Sequence, residues 1–174
     1  MTLQQAFVGV DHASQDVRRF RCGKPQLDAF LIRYAAKNAE LGISKTWVLL
    51  DDDRGGRKKF PVVAYYTLAI GTVAREILPE NYKDLPSYPD PVTLLARLAV
   101  SENYQKRGLG AKTLVAALRQ VVILKDKGLP SIGVVLDVFD EDALNFYNHF
   151  DVFHSFSNDP MRLFVPMRVI QQLR

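Results

Sequence analysis

Apolar residues follow two rhythms along this chain, and the places where one gives way to the other mark out its elements. From Val92 to Val100 the run Val-Thr-Leu-Leu-Ala-Arg-Leu-Ala-Val is aliphatic and almost uncharged, the pattern of a strand buried on both faces. Only Arg97 interrupts it. Beyond Gln105 the spacing changes: Leu114, Leu118, Val121 and Val122 recur at helical intervals opposite Lys112, Arg119 and Gln120. The stretch from Val92 to Leu124 therefore reads as strand, turn, helix. Upstream, Phe7 to Val10 predicts a short first strand and Asp11 to Asp16 a loop. Gly23 and Pro25 open a helix whose apolar stripe is Leu27, Phe30, Leu31, Tyr34, Ala35 and Leu41, and Gly42 ends it. Thr46–Leu50 and Phe60–Ile70 predict two strands joined by the charged connection Asp51 to Lys59, where Gly55-Gly56 signals a hairpin turn. The basic residues of that connection, Arg54, Arg57, Lys58 and Lys59, keep its tip soluble.

The segment from Thr72 to Pro91, with four prolines and the aromatics Tyr82 and Tyr88, is the least regular part of the chain. A loop of that length is expected to line a substrate pocket or a partner surface. Lys127-Gly128-Leu129-Pro130 closes the long helix and Ile132 to Val138 forms the next buried strand, so the spacing predicts a right-handed parallel crossover. Asp140-Glu141-Asp142 supplies a cap and first-turn acids for a short helix from Ala143 to Phe150. Strands near Val152–His154 and Arg162–Val165 complete the sheet.

Composition narrows the class. At 174 residues the chain is expected to be a single domain, 1–174, with a core that needs no metal or disulfide. A lone Cys22 excludes an internal disulfide framework and reads as a small buried hydrophobe. The start lacks a signal-peptide pattern, and no run approaches the ~20 apolar residues that span a bilayer, so a soluble, cytoplasmic protein without a membrane partner is expected. The net charge of +4, with a pI near 9.2, suits an anionic partner without specifying one.

Chemistry enters at Gln105-Lys106-Arg107-Gly108-Leu109-Gly110-Ala111, where the glycines sit at a helix start. Glycine permits unusual dihedrals and close approach, while the free N–H groups and dipole of a helix N-terminus attract anions, which together make a phosphate cradle. A P-loop is excluded because Ala111 separates Gly110 from Lys112. A dinucleotide fingerprint is excluded because Thr113 stands where a third small residue belongs. What Gln105-x-x-Gly108-x-Gly110-Ala111 after a buried strand resembles is the pyrophosphate motif of the GCN5-related N-acetyltransferases. The resemblance implies the mixed α/β GNAT fold, a splayed central mixed sheet flanked by helices. It also implies acetyl-CoA as co-substrate, held by Gln105, Lys106, Arg107, Gly108, Leu109, Gly110 and Ala111 and, along its pantetheine arm, by the backbone of Leu98, Ala99 and Val100.

Cys22-Gly23-x-x-x-Leu27-Asp28-x-Phe30-Leu31, Leu95-Ala96-Arg97-Leu98-Ala99-Val100 and Phe146-Tyr147 occur together in this order, and in that respect the chain is similar to the toxin branch of the family. That likeness, from about Phe20 to Pro166, implies acetylation of the α-amino group of aminoacyl-tRNA, a block of translation, a ribbon-helix-helix antitoxin and a homodimer. Asp151 departs from the glycine usual after the short helix; a left-handed Asp there costs about 1 kcal/mol. The α-amine of an amino acid has a pKa of about 8, so no strong base is needed near pH 7. The Val100 N–H is the candidate oxyanion donor. Tyr147, at the position of the family's tyrosine, is the candidate acid for the departing thiolate. Arg97, in an apolar run, either forms a structural ion pair or contacts substrate phosphate. Arg33, Lys37, Lys45 and Arg75 are further candidates for an RNA backbone. No catalytic role falls to His12, His149 or His154. Two other readings stay open: an N-acetyltransferase for a small amine or protein N-terminus, and a non-enzymatic module that binds CoA or a partner.

Overall fold

The computed structural model describes residues 1–79 and 84–173. In chain order its strands are β1 (Val8–Gly9), β2 (Gln15–Asp16), β3 (Lys45–Leu50), β4 (Phe60–Val73), β5 (Asp90–Val100), β6 (Gly133–Asp137), β7 (His154–Phe156) and β8 (Asp159–Pro166). Its helices are α1 (Pro25–Arg33), α2 (Ala35–Leu41), α3 (Leu109–Asp126), α4 (Glu141–Asn148) and α5 (Met167–Ile170). The strands form an eight-stranded mixed sheet in the order β1-β3-β4-β5-β6-β8-β7, with β2 pairing β4 in parallel. Among the described residues no helix is long and apolar enough to cross a membrane.

The chain divides into two compact units, Met1–Ala69 with Arg97–Ala117, and Ile70–Ala96 with Leu118–Arg174. In the first, β3 and β4 pair antiparallel. Phe30 and Leu31 of α1 pack with Val48, Leu50, Val62 and Tyr65, while Leu49, Val63 and Ala64 pack with Leu109 of α3. Strict alternation would put Val62 and Tyr65 on opposite faces. The register shift opposite Leu49/Leu50 leaves Val63 as an extra residue, so Val62 and Tyr65 return to the same face. The Tyr65 hydroxyl donates to the Leu27 carbonyl at 2.6 Å and pins α1 there.

The single helix expected before Gly42 is two. Tyr34, at φ −120° and ψ −29°, breaks it, and the apolar stripe turns outward with it. Ala35 is still buried, but Tyr34 and Leu41 are 54% and 60% exposed, contrary to their predicted place in the core. Gly42 does end α2, at φ +77°. The Asp11–Asp16 loop holds β2, which sequence gave no sign of because its two residues are polar; the Gln15 side chain bonds the Asp11 N–H and the Gly9 carbonyl.

In the second unit Val73, Leu78, Val92, Val135, Phe156 and Phe164 form the core, joined by Ile77 and Leu85. Val73, Ile77, Leu78 and Leu85 of the irregular segment thus pack inward, whereas Asp84 and the stretch 86–89 are exposed, Tyr88 at 65%; Tyr82 lies outside the described residues. Strand β6 pairs along its whole length with β8 and, in parallel at Val134 and Val135, with β5. Asp140 caps α4 by accepting the Ala143 N–H at 2.8 Å. Helix α5 was not foreseen; it is anchored by buried Met167 and Ile170 and by the Met167 N–H on the Ile132 carbonyl.

Candidate active site

Strand β5 is eleven residues long, yet its parallel ladder with β6 comprises only Thr93↔Val134 and Leu94↔Val135. Past Leu94 no β6 partner is found among the described residues, so the edge of β5 that carries Leu98, Ala99 and Val100 runs on without that neighbour. The Ser101 N–H donates to the Val63 carbonyl of β4 at 2.8 Å. Because successive N–H groups of an extended chain point to opposite edges, the Val100 N–H points to the edge where the ladder has stopped. A backbone donor aimed at an open edge can meet developing negative charge on a substrate oxygen.

The turn that follows is built by backbone conformation. Lys106 and Gly108 are both left-handed, at φ +64° and +76°. Glycine adopts that conformation without strain, whereas Lys106 does so at a cost of about 1 kcal/mol. A Cβ on Gly108 would find no protein atom within 4 Å, so the space beside it is open for a ligand. Helix α3 begins immediately after, with the Lys112 N–H bonded to the Gly108 carbonyl, which leaves the N–H groups of Leu109, Gly110 and Ala111 at the free helix end. Thr113, buried, donates its hydroxyl to the Leu109 carbonyl at 2.6 Å and tightens that first turn. The residues present therefore fit the diphosphate and pantetheine of acetyl-CoA. The Gln105 side-chain amide donates to the Val100 carbonyl and the Cys22 carbonyl, both at 2.9 Å, and so braces the turn against the strand end.

Arg97 stacks on Phe30, its guanidinium carbon 3.7 Å from the ring centroid, and among the described residues no carboxylate pairs with it. The charge tolerated in this apolar strand is thus held by an aromatic face. Arg33 is exposed at the end of α1, Lys37 lies 3.8 Å from Glu40, and Lys45 sits 5.4 Å over Trp47. These four basic residues lie in the first unit.

In the second unit, Tyr147 on α4 is only 8% exposed and meets the Phe146 and Phe153 rings edge-on at 5.0 and 5.4 Å. Burial holds its phenol well above the usual tyrosine pKa. It is therefore a protonated donor throughout the physiological range. Arg75, in the same unit, donates to the Leu85 carbonyl and lies 3.5 Å from Glu76. Asp151 is left-handed at φ +54°, as expected for the position that ends α4.

Residues 17–151 match the acetyltransferase (GNAT) family. This chain belongs to that family. As a GNAT acetyltransferase it is 36% identical over 158 residues to a tRNA-acetylating toxin of Mycobacterium tuberculosis (strain ATCC 25618 / H37Rv), covering 89% of this chain and 88% of the relative. Among solved structures it resembles AtaT complexed with acetyl-methionyl-tRNAfMet, with a TM-score of 0.83 and 27% identity over 98% of each chain. It also resembles AtaTR bound with AcCoA, at a TM-score of 0.79 and 27% identity over 99% of this chain and 98% of that one. The family and the fold that the resemblance implied are thereby confirmed. Sequence missed the brace from Gln105 to Cys22, since the two stand 83 positions apart and neither carries a local signal of the other. It also missed Tyr104, whose hydroxyl donates to Asp51 at 2.6 Å.

Proposed function

We propose that this acetyltransferase transfers the acetyl group of acetyl-CoA to the α-amino group of aminoacyl-tRNA and so blocks translation. The observation that carries the chemistry is the end of the β5–β6 ladder at Leu94, followed directly by a helix N-terminus with open space beside Gly108. The substrate is supported by the 36% identity to a tRNA-acetylating toxin along nearly all of both chains.

Acetyl-CoA supplies an acetyl group activated as a thioester. The amide groups of Leu109, Gly110 and Ala111 hold its diphosphate, and the open edge of Leu98 to Val100 holds its arm. The Val100 N–H donates to the thioester oxygen as charge develops there, a contribution of the kind whose removal costs about 2.7–4 kcal/mol. Tyr147 gives its phenolic proton to the departing sulfur, and the proton that the amine sheds as the amide forms restores the phenol. The nucleophile needs little help, because an α-amine with pKa about 8 is already partly neutral at pH 7. Arg33, Lys37, Lys45 and Arg97 contact RNA phosphates.

An enzyme with this activity works where charged tRNA is, in the cytoplasm. The cell that makes it must hold it inactive, and a ribbon-helix-helix antitoxin is the proposed partner, with a homodimer as the toxin's own state. The test is incubation with acetyl-CoA and a mixture of charged tRNAs, followed by mass analysis of the amino acids released. N-acetylated amino acids are expected. Unmodified aminoacyl-tRNA alongside rapid acetylation of a small amine would overturn the substrate and leave the acetyltransferase.

A further inference from the structure

A cavity of about 560 Å³ lies within the first unit, walled by the β3–β4 connection, the 3-10 turn at Val17–Arg19 and the turn after β5. Four arginines reach it: Arg19, Arg54, Arg57 and Arg107. Three carboxylates do too: Asp51 and Asp53 accept from neighbouring donors, and Asp16 offsets part of the arginine charge. Asp51 accepts from the Thr2 and Asp53 N–H groups at 2.8 and 2.9 Å and from the Tyr104 hydroxyl at 2.6 Å, so neutral donors fill it. Asp53 accepts the Gly55 N–H at 3.0 Å and closes the turn. Asp16 is shared between Arg19 at 3.6 Å and Arg57 at 4.0 Å, both beyond ordinary hydrogen-bond length. Among the described residues neither Arg54 nor Arg107 has a carboxylate partner. Arg54 is nevertheless ordered, its guanidinium carbon 4.1 Å above the Phe60 ring.

Cations that serve only to keep a hairpin tip soluble have no reason to converge on one cavity. Here the tip is tied down on both sides, by Lys59 to the His12 carbonyl and by β2 to β4, and its arginines line the same cavity as Arg107 of the glycine-rich turn. We propose that this cavity is a second phosphate-binding site, outside the diphosphate cradle, in which Arg54, Arg57 and Arg107 grip a phosphate group of a substrate. Planar guanidinium forks match phosphate oxygens two at a time, and partly filled ones are set to do so. The phosphate comes either from the nucleotide end of the acyl carrier or from an RNA backbone. Only this choice of sources rests on the function proposed above; the site itself does not.

The test uses the full chain with Arg54→Ala and Arg57→Ala together, checked by thermal melting. Acetyl-CoA, its 3′-dephospho analogue and uncharged tRNA are titrated separately. A carrier phosphate predicts a loss of roughly tenfold or more in affinity for acetyl-CoA and none for the dephospho analogue. An RNA phosphate predicts weaker tRNA binding with a log–log salt slope shallower by up to about two, one per arginine, and unchanged carrier binding. Equal losses for both carriers, or no change in any titration, overturns the site. Arg54→Gln alone, which removes one cation of the cavity and leaves the diphosphate cradle intact, must follow the same pattern and decides the matter if the double variant unfolds. Because none of these titrations reads acetylation, a failure here is distinct from a failure to acetylate aminoacyl-tRNA.

Discussion

In the proposed reaction the turn after β5 and the helix that carries Tyr147 are assigned roles of opposite kinds. The turn works through main-chain groups: left-handed Lys106 and Gly108, the free amides of α3, and the Val100 N–H on an unladdered edge. Side chains there, such as those of Gln105 and Thr113, brace the backbone. Helix α4 contributes one side-chain hydroxyl, and its surroundings of Phe146 and Phe153 keep that hydroxyl protonated. A backbone site tolerates substitution wherever conformation is kept, whereas a site made of one hydroxyl does not. The largest effect should therefore come from the smallest chemical change. Tyr147→Phe keeps the packing of the ring and deletes only the donor. Turnover should fall by roughly 10²–10⁴, with acetyl-CoA affinity within about twofold of the parent when measured by titration. Retained turnover would remove Tyr147 from the chemistry and leave water as the proton source.

The pH profile separates the two regions next. The reacting amine must be neutral, so kcat/KM should climb about tenfold between pH 7 and pH 9 as an α-amine of pKa about 8 loses its proton. Burial raises the Tyr147 pKa, which keeps the acid form present to higher pH, so no fall should follow near pH 10. A descending limb between pH 8 and 10 would show a solvated phenol and contradict its burial.

Gly108→Ala probes the backbone side. A methyl group meets no protein atom there, so the folding cost is the left-handed conformation alone, about 1 kcal/mol. The new Cβ would instead occupy ligand space and should weaken acetyl-CoA binding by about tenfold, the worth of one charge-assisted hydrogen bond. Unaltered affinity would mean the diphosphate does not approach this glycine.

The same contrast explains what was legible in the sequence. The strand–turn–helix around Gly108 was legible because its signal is local: an apolar run, then glycines, then a helical stripe whose Leu114, Leu118, Val121 and Val122 are all buried. The Asp140 cap of α4 was legible for the same reason. The break at Tyr34 was not, because Tyr34 sits at a helical interval and its exposure follows from how α1 packs on Val48 and Tyr65, which no local pattern encodes. The face switch in β4 depends on a bulge set by pairing with β3. The arginine cavity was least legible of all. Sequence lists Arg54 and Arg57 as a charged tip; only the packing of β2 and the post-β5 turn beside them makes a cavity.

The smallest expected effect tests whether the end of α4 is merely strained or is put to use. Asp151 holds φ +54°, and its N–H bonds the Asn148 carbonyl at 3.2 Å, a helix terminus that glycine would fill without strain. Asp151→Gly relieves up to about 1 kcal/mol in the folded chain, and the greater freedom of glycine in the unfolded chain offsets part of it. The net gain should raise Tm by about 1–3 °C, read by calorimetry, with kcat/KM unchanged. If the variant instead melts lower and loses activity, the Asp151 carboxylate is holding the α4 terminus in place, and the orientation of Tyr147 then depends on a side chain after all.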